Sequence, residues 1–301
     1  MRKEITVYEF YLSTTNGIVK DDYRENPSAA FDRCFSLLKH AGYDRVDVSF
    51  WDVSTPDSWF DRDGWERTVE EIGLLCEKHK LPVHQTHGNT YVGKQWDDPT
   101  YPYHELQHRT TLRSVTATAM LGGSVTVLHP MNLPADKLYD QKKAKDAAIR
   151  YLSPYIEEAK RVGICIAVEN MVDFGGFRRR YCGGDVWELI DLVDTINDPS
   201  VGICLDTGHA NISHVDTAEA IRAMGGRLKA LHINDNLANG KDDHLFPYFG
   251  SVDWAETVKA LKEIGYRGDF AYEAGSQRIP PALYAPWLAY TAALGRHLMS
   301  L

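Results

Sequence analysis

Apolar positions along the chain fall into eight short runs separated by longer amphipathic stretches. The runs are ITVYEFYL (5–12), DRVDVSF (44–50), LPVHQTH (81–87), GSVTVLHP (123–130), GICIAVENM (163–171), VGICLDTGH (201–209), LKALHIND (228–235) and GDFAYEAG (268–275). They are rich in Val, Ile and aromatic residues, the side chains that fit a pleated surface. Most lack polar alternation, which predicts strands buried on both faces, as in a parallel sheet covered by helices.

The stretches between the runs carry helical periodicity and helical punctuation. Segment 27–42 places Phe31, Phe35 and Leu38 on one face and ends at Gly42; segment 64–80 groups Val69, Ile72 and Cys76. Segments 143–163, 185–197, 216–226 and 251–268 follow the same rule, with Asp or Ser at several starts and Gly at most ends. Those residues supply side-chain acceptors at the first turn and a left-handed exit at the last. The strand runs recur about every 40 residues, with one shorter unit, the length of a βα repeat. Eight such units predict an α/β fold, a single (β/α)8 TIM barrel over residues 1–301. An open doubly wound sheet is disfavoured, because no Gly-rich turn follows ITVYEFYL. The stretch 88–105 reads as a long aromatic and polar loop, a length that points to function in a compact domain.

Composition narrows the function classes. The 301 residues carry a formal net charge of −9, which disfavours a phosphate-backbone binder; no nucleic-acid partner is expected. Five cysteines, an odd number without a CxxC pair, suit a reducing compartment without structural disulfides. Cys165 and Cys204 fall in strand runs and read as small core residues, Cys34 and Cys76 fall in helical segments, and Cys182 falls in a loop and is the one to watch. The start, MRKEITVYEF, has no signal-like apolar stretch, and no run of about 18 apolar residues occurs. The expectation is a cytoplasmic protein without membrane contact.

The candidate chemistry lies at the downstream ends of the last four runs. They finish in Glu169, Asp206, His232 and Glu273, with His209 three residues past Asp206. A buried strand is expected to end in turn residues, and several carboxylates converging on one place are costly without a positive charge among them. In a barrel the C-terminal strand ends share one mouth. Two glutamates, an aspartate and a histidine form a hard, oxygen-rich donor set suited to one divalent metal ion: Mn²⁺ first, with Mg²⁺, Co²⁺ or Zn²⁺ also compatible.

VENM, CLDTGH, LHINDN with the following DDH, and YEAG resemble motifs of the xylose isomerase-like barrels, which include D-tagatose 3-epimerases and inosose isomerases. The resemblance covers nearly the whole chain. It implies that Glu169, Asp206, His232 and Glu273 hold one divalent metal and that His209 lies beside it and contacts the sugar. It implies a metal-dependent sugar or sugar-phosphate isomerase or epimerase. A proton is removed next to a carbonyl, through a cis-enediolate, with Glu169 and Glu273 as base and acid and His209 as hydrogen-bond donor.

A second set surrounds the first. His87 and His129 end runs three and four, and Asp242 and His244 follow run seven. With the first set they are similar to the three-zinc cluster of endonuclease IV, a more distant barrel relative. The reading preferred here is that His87, His129, Asp242 and His244 line the sugar pocket together with Trp51, while His84 is structural. Tyr8, Phe10, Trp96 and Tyr101 are further candidates for sugar stacking, and FRRRY (177–181) or Ser276 with Arg278 for an anion. The first step also permits β-elimination, so a lyase (inosose dehydratase or 3-keto-glycoside cleavage) is the main alternative. An endonuclease IV-like phosphodiesterase and a non-catalytic sugar-binding barrel rank below it. The partner expected is a small sugar or polyol, and relatives of this kind often form homo-oligomers.

Overall fold

The computed structural model describes residues 10–89, 98–130, 139–172, 182–275 and 279–301. Tyr8, Trp96, the FRRRY segment, Ser276 and Arg278 lie outside the described residues. The strands are β1 (Tyr11–Thr14), β2 (Val48–Ser49), β3 (Gln85–His87), β4 (Val125–Leu128), β5 (Cys165–Glu169), β6 (Val201–Asp206), β7 (Leu228–His232) and β8 (Asp269–Tyr272). β2 to β7 pair in chain order and β1 pairs with β8, all in parallel. Parallel bridges from Thr15 to Asp47 and from Ile233 to Tyr272 join the two groups. Each strand therefore has a neighbour on both sides, and the sheet closes into the predicted barrel.

The helices are α1 (Pro27–Ala41), α2 (Trp65–His79), α3 (His104–Met120), α4 (Gln141–Val162), α5 (Val186–Ile196), α6 (Thr207–Ile212), α7 (Thr217–Met224), α8 (Trp254–Glu263) and α9 (Tyr284–Ser300). Their ends follow the predicted punctuation. Asp140, Asp185, Asp216 and Asp253 accept first-turn N–H groups of α4, α5, α7 and α8. Gly42 and Gly163 leave α1 and α4 in the left-handed conformation.

Three helices lie where the apolar pattern marked none. Four of the seven buried residues of α3 are Thr110, Thr111, Ser114 and Thr118, interspersed with Leu106, Val115 and Ala117. Their hydroxyls donate to carbonyls within α3, as in Thr110 to Leu106 at 2.8 Å and Thr118 to Ser114 at 2.7 Å. A polar face satisfied in this way buries without an apolar stripe, so hydrophobic periodicity has nothing to register. α9 hides its stripe differently: Tyr284, Leu288, Ala292, Gly295 and Leu298 face inward, but Tyr290 and other apolar residues face out. α6 is too short to show a period.

The main core lies between strands and helices, and a smaller cluster of Val125, Val127, Ala167, Cys204 and Ala230 fills the barrel interior. Phe10 belongs to the outer core, buried against Tyr266 and Phe270, which corrects its assignment to the sugar pocket. Cys182, the loop cysteine singled out, is buried too, and burial pushes its thiol up to about 12. His84 precedes β3 at the N-terminal rim, beside Ser124 and Lys229. No helix among the described residues is long and apolar enough to cross a membrane.

Candidate functional site

Side chains of a strand alternate between its faces, and that alternation builds the site. On β5, Cys165 and Ala167 share an inner face with Glu169. On β6, Cys204 leads to Asp206; on β7, Ala230 leads to His232; on β3, Gln85 leads to His87. One step past β4 and β8, His129 and Glu273 continue the same parity. Small residues fill the barrel below, and acids and imidazoles crown it at the C-terminal rim.

Four of these residues, Glu169, Asp206, His232 and Glu273, each bring one donor atom within 4.8 Å of the others. His232 Nδ1 lies 3.3 Å from Glu169 Oε1 and 3.2 Å from Glu273 Oε2. Glu169 is 1% exposed, yet neither of its carboxylate oxygens, nor His232 Nδ1, makes a hydrogen bond among the described residues. Buried polar atoms are almost always paired. Here their lone pairs point at one shared space, the arrangement a divalent cation satisfies. The residues therefore fit the metal that the strand-end pattern predicts.

The second set closes in around the first. His129 Nε2 is 3.1 Å from Glu169 Oε2, and His87 Nε2 lies 3.8 Å from Glu169 and 3.6 Å from Glu273. On the other side, Asp242 Oδ2 is 3.3 Å from His209 Nε2 and 3.1 Å from His244 Nε2. Three of these imidazoles are anchored through Nδ1–H to carbonyl oxygens. His87 donates to Gly88 at 2.9 Å, His209 to Asn170 at 2.8 Å and His244 to Glu273 at 2.7 Å. A carbonyl only accepts, so each Nε2 is left to face the cavity. His209 sits one turn further on than its assigned strand end, in the first turn of α6, where Asp206 caps its backbone N–H at 2.7 Å.

Charge in this cluster is compensated by imidazolium. Burial works to lower the His209 pKa, but the Asp206, Asp242 and Glu169 carboxylates override it and carry the ring up to about 10. Burial is likewise overridden at His244, which its hydrogen bond to Asp242 and the charge of Glu273 raise to about 11. Burial lifts Asp206 to about 6, whereas Glu273 falls to about 2 because His232 outweighs its burial. The mouth thus demands positive charge, whether from protons or from a metal.

Above the cluster opens a cavity of about 390 Å³ lined by Trp51, His87, His129, Glu169, His209, Asp242, His244 and Glu273. Of the residues assigned to the metal, to catalysis and to the sugar pocket beside Trp51, all but the more deeply placed Asp206 and His232 reach it. Trp51 stands 6.0 Å edge-on from His87 and 5.6 Å from His129. Thr15, Gly17, Ser49, Asp52, Met171, Ala274 and Gly275 add to the wall; none of them was a candidate on sequence. Tyr101 is not among the lining residues and meets Tyr103 instead.

A supporting layer was also missed. Asn234 donates to Asp206 Oδ2 at 2.6 Å, and Gly208 makes room for it: a Cβ there meets Asn234 Oδ1 at 1.8 Å. Asp47, held by Gln85 at 2.7 Å, stands 4.0 Å behind His232 Nε2. The asparagines of VENM and LHINDN were visible as motif letters, but nothing in a linear pattern says which backbone they clamp.

A family model described as "Xylose isomerase-like TIM barrel" matches residues 35–293. The chain is 33% identical to an L-ribulose 3-epimerase of Methylomonas sp. (strain DH-1) over 86% of its own length and 82% of that protein. It is 32% identical to a D-psicose 3-epimerase of Enterocloster bolteae over 50% of its own length, a match spanning only 46% of that relative. The crystal structure of the IOLI protein with a bound zinc atom superposes with a TM-score of 0.71 at 17% identity, covering 96% of this chain and 98% of that one. At that identity the likeness shows the fold.

Proposed function

The chain belongs to the xylose isomerase-like TIM barrel family, and from that premise we propose that it is a divalent-metal-dependent sugar isomerase or epimerase, a single-domain cytoplasmic enzyme. One observation carries the proposal: the lone pairs of Glu169 and His232 are buried, unpaired and convergent with Asp206 and Glu273. These four residues hold the cation, with Mn²⁺ the preferred ion. When bound, it polarises the substrate carbonyl and acidifies the neighbouring C–H.

The chain's own groups do the rest. Glu169 rises from the floor of the cavity and Glu273 from its rim, with side-chain exposures of 1% and 21%. One carboxylate takes the proton next to the carbonyl, leaving a cis-enediolate of the sugar. The other, entering the step as its carboxylic acid, delivers its proton to the opposite face of the same carbon, giving an epimer; delivery to the adjacent carbon gives the isomer. His209 donates a hydrogen bond to the developing oxyanion. Trp51 offers an apolar face to the sugar ring, and His87, His129, Asp242 and His244 offer hydrogen bonds to its hydroxyls. β-Elimination after the same proton abstraction gives the lyase alternative.

Incubation of ketoses with the Mn²⁺-loaded protein in D₂O tests this. Deuterium enters C3 in an epimerase and C1 in an isomerase, and an enone marks the lyase. Absence of exchange with every ketose, or turnover that persists after chelation, overturns the proposal.

A second reading rests on a specific feature. His87, His129 and Glu169 form one further donor triad, and His209, Asp242 and His244 another, each within ligand reach. Nδ1 anchoring of His87, His209 and His244 to carbonyls is the way metal-bound imidazoles are oriented. Three ions favour phosphodiester cleavage, as the endonuclease IV resemblance implies. Metal analysis separates the two: near one ion per chain supports the sugar enzyme, near three supports the hydrolase.

A further inference from the structure

His232 is held differently from the imidazoles around it. His87, His209 and His244 turn Nδ1 to a carbonyl. His232 turns Nδ1 into the donor cluster, 3.3 Å from Glu169 and 3.2 Å from Glu273. A neutral imidazole has one ring N–H. For Nδ1 to offer a lone pair to a cation, that proton must sit on Nε2, in a ring that is 1% exposed. The carboxylate on the Nε2 side is Asp47, with Oδ2 at 4.0 Å. Its position is fixed from two directions. The Asp47 N–H donates to the Thr14 carbonyl at 2.9 Å, and its carbonyl accepts Asn16 N–H at 3.0 Å. Gln85, fully buried, donates through Nε2 to Asp47 Oδ2 at 2.7 Å and to the Leu231 carbonyl at 3.1 Å. Leu231 precedes His232, so one amide ties the carboxylate to the strand that carries the histidine. A buried acid with a purely structural role is expected to have a strong cation beside it, as Asp269 has Arg45 at 2.6 Å. Among the described residues Asp47 makes its ion pair with His232 alone, and its Oδ1 has no hydrogen bond. Cys204 also meets the ring, but a thiol is a weak acceptor and does not specify which nitrogen is protonated.

Resting on the metal-site part of the proposed function, we infer that Asp47 is a positioning residue: its carboxylate keeps the His232 proton on Nε2 and so presents Nδ1 to the ion. Asp47 does not line the mouth and acts on the ion through His232. A carboxylate behind a neutral imidazole fixes its tautomer and raises its basicity as a ligand.

Zn²⁺, a diamagnetic ion, is the probe. The full chain labelled with ¹⁵N-histidine is titrated with Zn²⁺, and the His232 signals, assigned by their loss in His232→Gln, are read by long-range ¹H–¹⁵N correlation. The parent shows His232 protonated on Nε2 and bound through Nδ1. Asp47→Asn keeps the size of the side chain and removes the charge. It lowers Zn²⁺ affinity at the His232 signals about 10- to 100-fold and abolishes the single Nε2–H form. Asp269→Asn, the comparator, lowers the melting temperature but leaves affinity and tautomer as in the parent. A parent His232 protonated on Nδ1, or a parent-like affinity in Asp47→Asn, overturns the inference. So does an equal loss of affinity in both variants, which marks general loosening of the barrel interior. Gln85→Met leaves Asp47 in place and removes its anchor; it gives a smaller loss of the same kind. Should Asp47→Asn not fold, a parent-like affinity in Gln85→Met overturns the inference instead. A parent chain that takes up no Zn²⁺ defeats the metal reading and this inference with it. Zn²⁺ held through a His232 indifferent to Asp47 defeats this inference alone.

Discussion

The side-chain amide of Asn170 is hydrogen-bonded at both ends to the backbone of Asp206: Nδ2–H donates to the Asp206 carbonyl at 3.0 Å, and Oδ1 accepts its N–H at 2.6 Å. Asn170 directly follows Glu169, so this clamp sets the spacing between two donors on neighbouring strands. Its own carbonyl accepts from His209, tying a third group to the same point. Asn170→Ala leaves buried backbone groups unpaired and frees Asp206 to drift. Stability falls by about 2 kcal/mol, and metal affinity drops about 10-fold or more. Thermal unfolding with and without Mn²⁺ measures both.

Glu169→Gln and Glu273→Gln keep shape and remove the proton acceptor. Each lowers deuterium exchange about 10²- to 10⁴-fold. Glu169→Gln also weakens metal binding, because Glu169 is the more deeply buried donor. Rates near the parent value in both variants contradict the assigned roles.

Gly208→Ala drives a methyl group into Asn234, whose Oδ1 lies 1.8 Å from the added Cβ. Asn234 must move, and the bond to Asp206 breaks. Metal affinity falls about 10-fold, with Asp206 itself intact. Metal titration of this variant beside Asn234→Ala shows the same loss if Gly208 acts through Asn234.

Metal binding and protons compete for the same atoms. Adding Mn²⁺ to the chelated chain releases protons, raises the melting temperature, and binds more weakly as pH is lowered. Calorimetry in buffers of different ionisation enthalpy counts the protons; zero release at neutral pH is the contrary result.

Asp44 anchors the last helix to the start of the barrel. It accepts Leu12 N–H at 2.8 Å and binds Arg296 through both oxygens at 2.7 and 2.6 Å. Burial raises its pKa, but Arg296 and the Leu12 N–H outweigh that and hold it below 3.8. A depressed carboxylate pKa gives stability that is present above the unfolded value and lost as pH falls through the folded one. Asp44→Asn therefore costs about 1 kcal/mol at pH 7, a modest figure for a partly exposed pair. The difference from the parent shrinks towards zero below pH 3.8.

The barrel was legible because it rests on local order. Apolar runs buried on both faces, capped helices and a repeat near 40 residues leave few architectures, and the strand ends announced themselves as carboxylates and histidines where turns belong. α3 escaped because more than half of its buried residues are threonine and serine, hydrogen-bonded within the helix. Asn170, Asn234 and Gly208 escaped because hydrogen bonds between neighbouring strands and a close backbone approach have no linear signature. Closure of the ring decided the remainder. It set His87 and His129 against Glu169 and brought Asp242 between His209 and His244. Those relations join residues from distant parts of the chain, and only packing in three dimensions determines such distances.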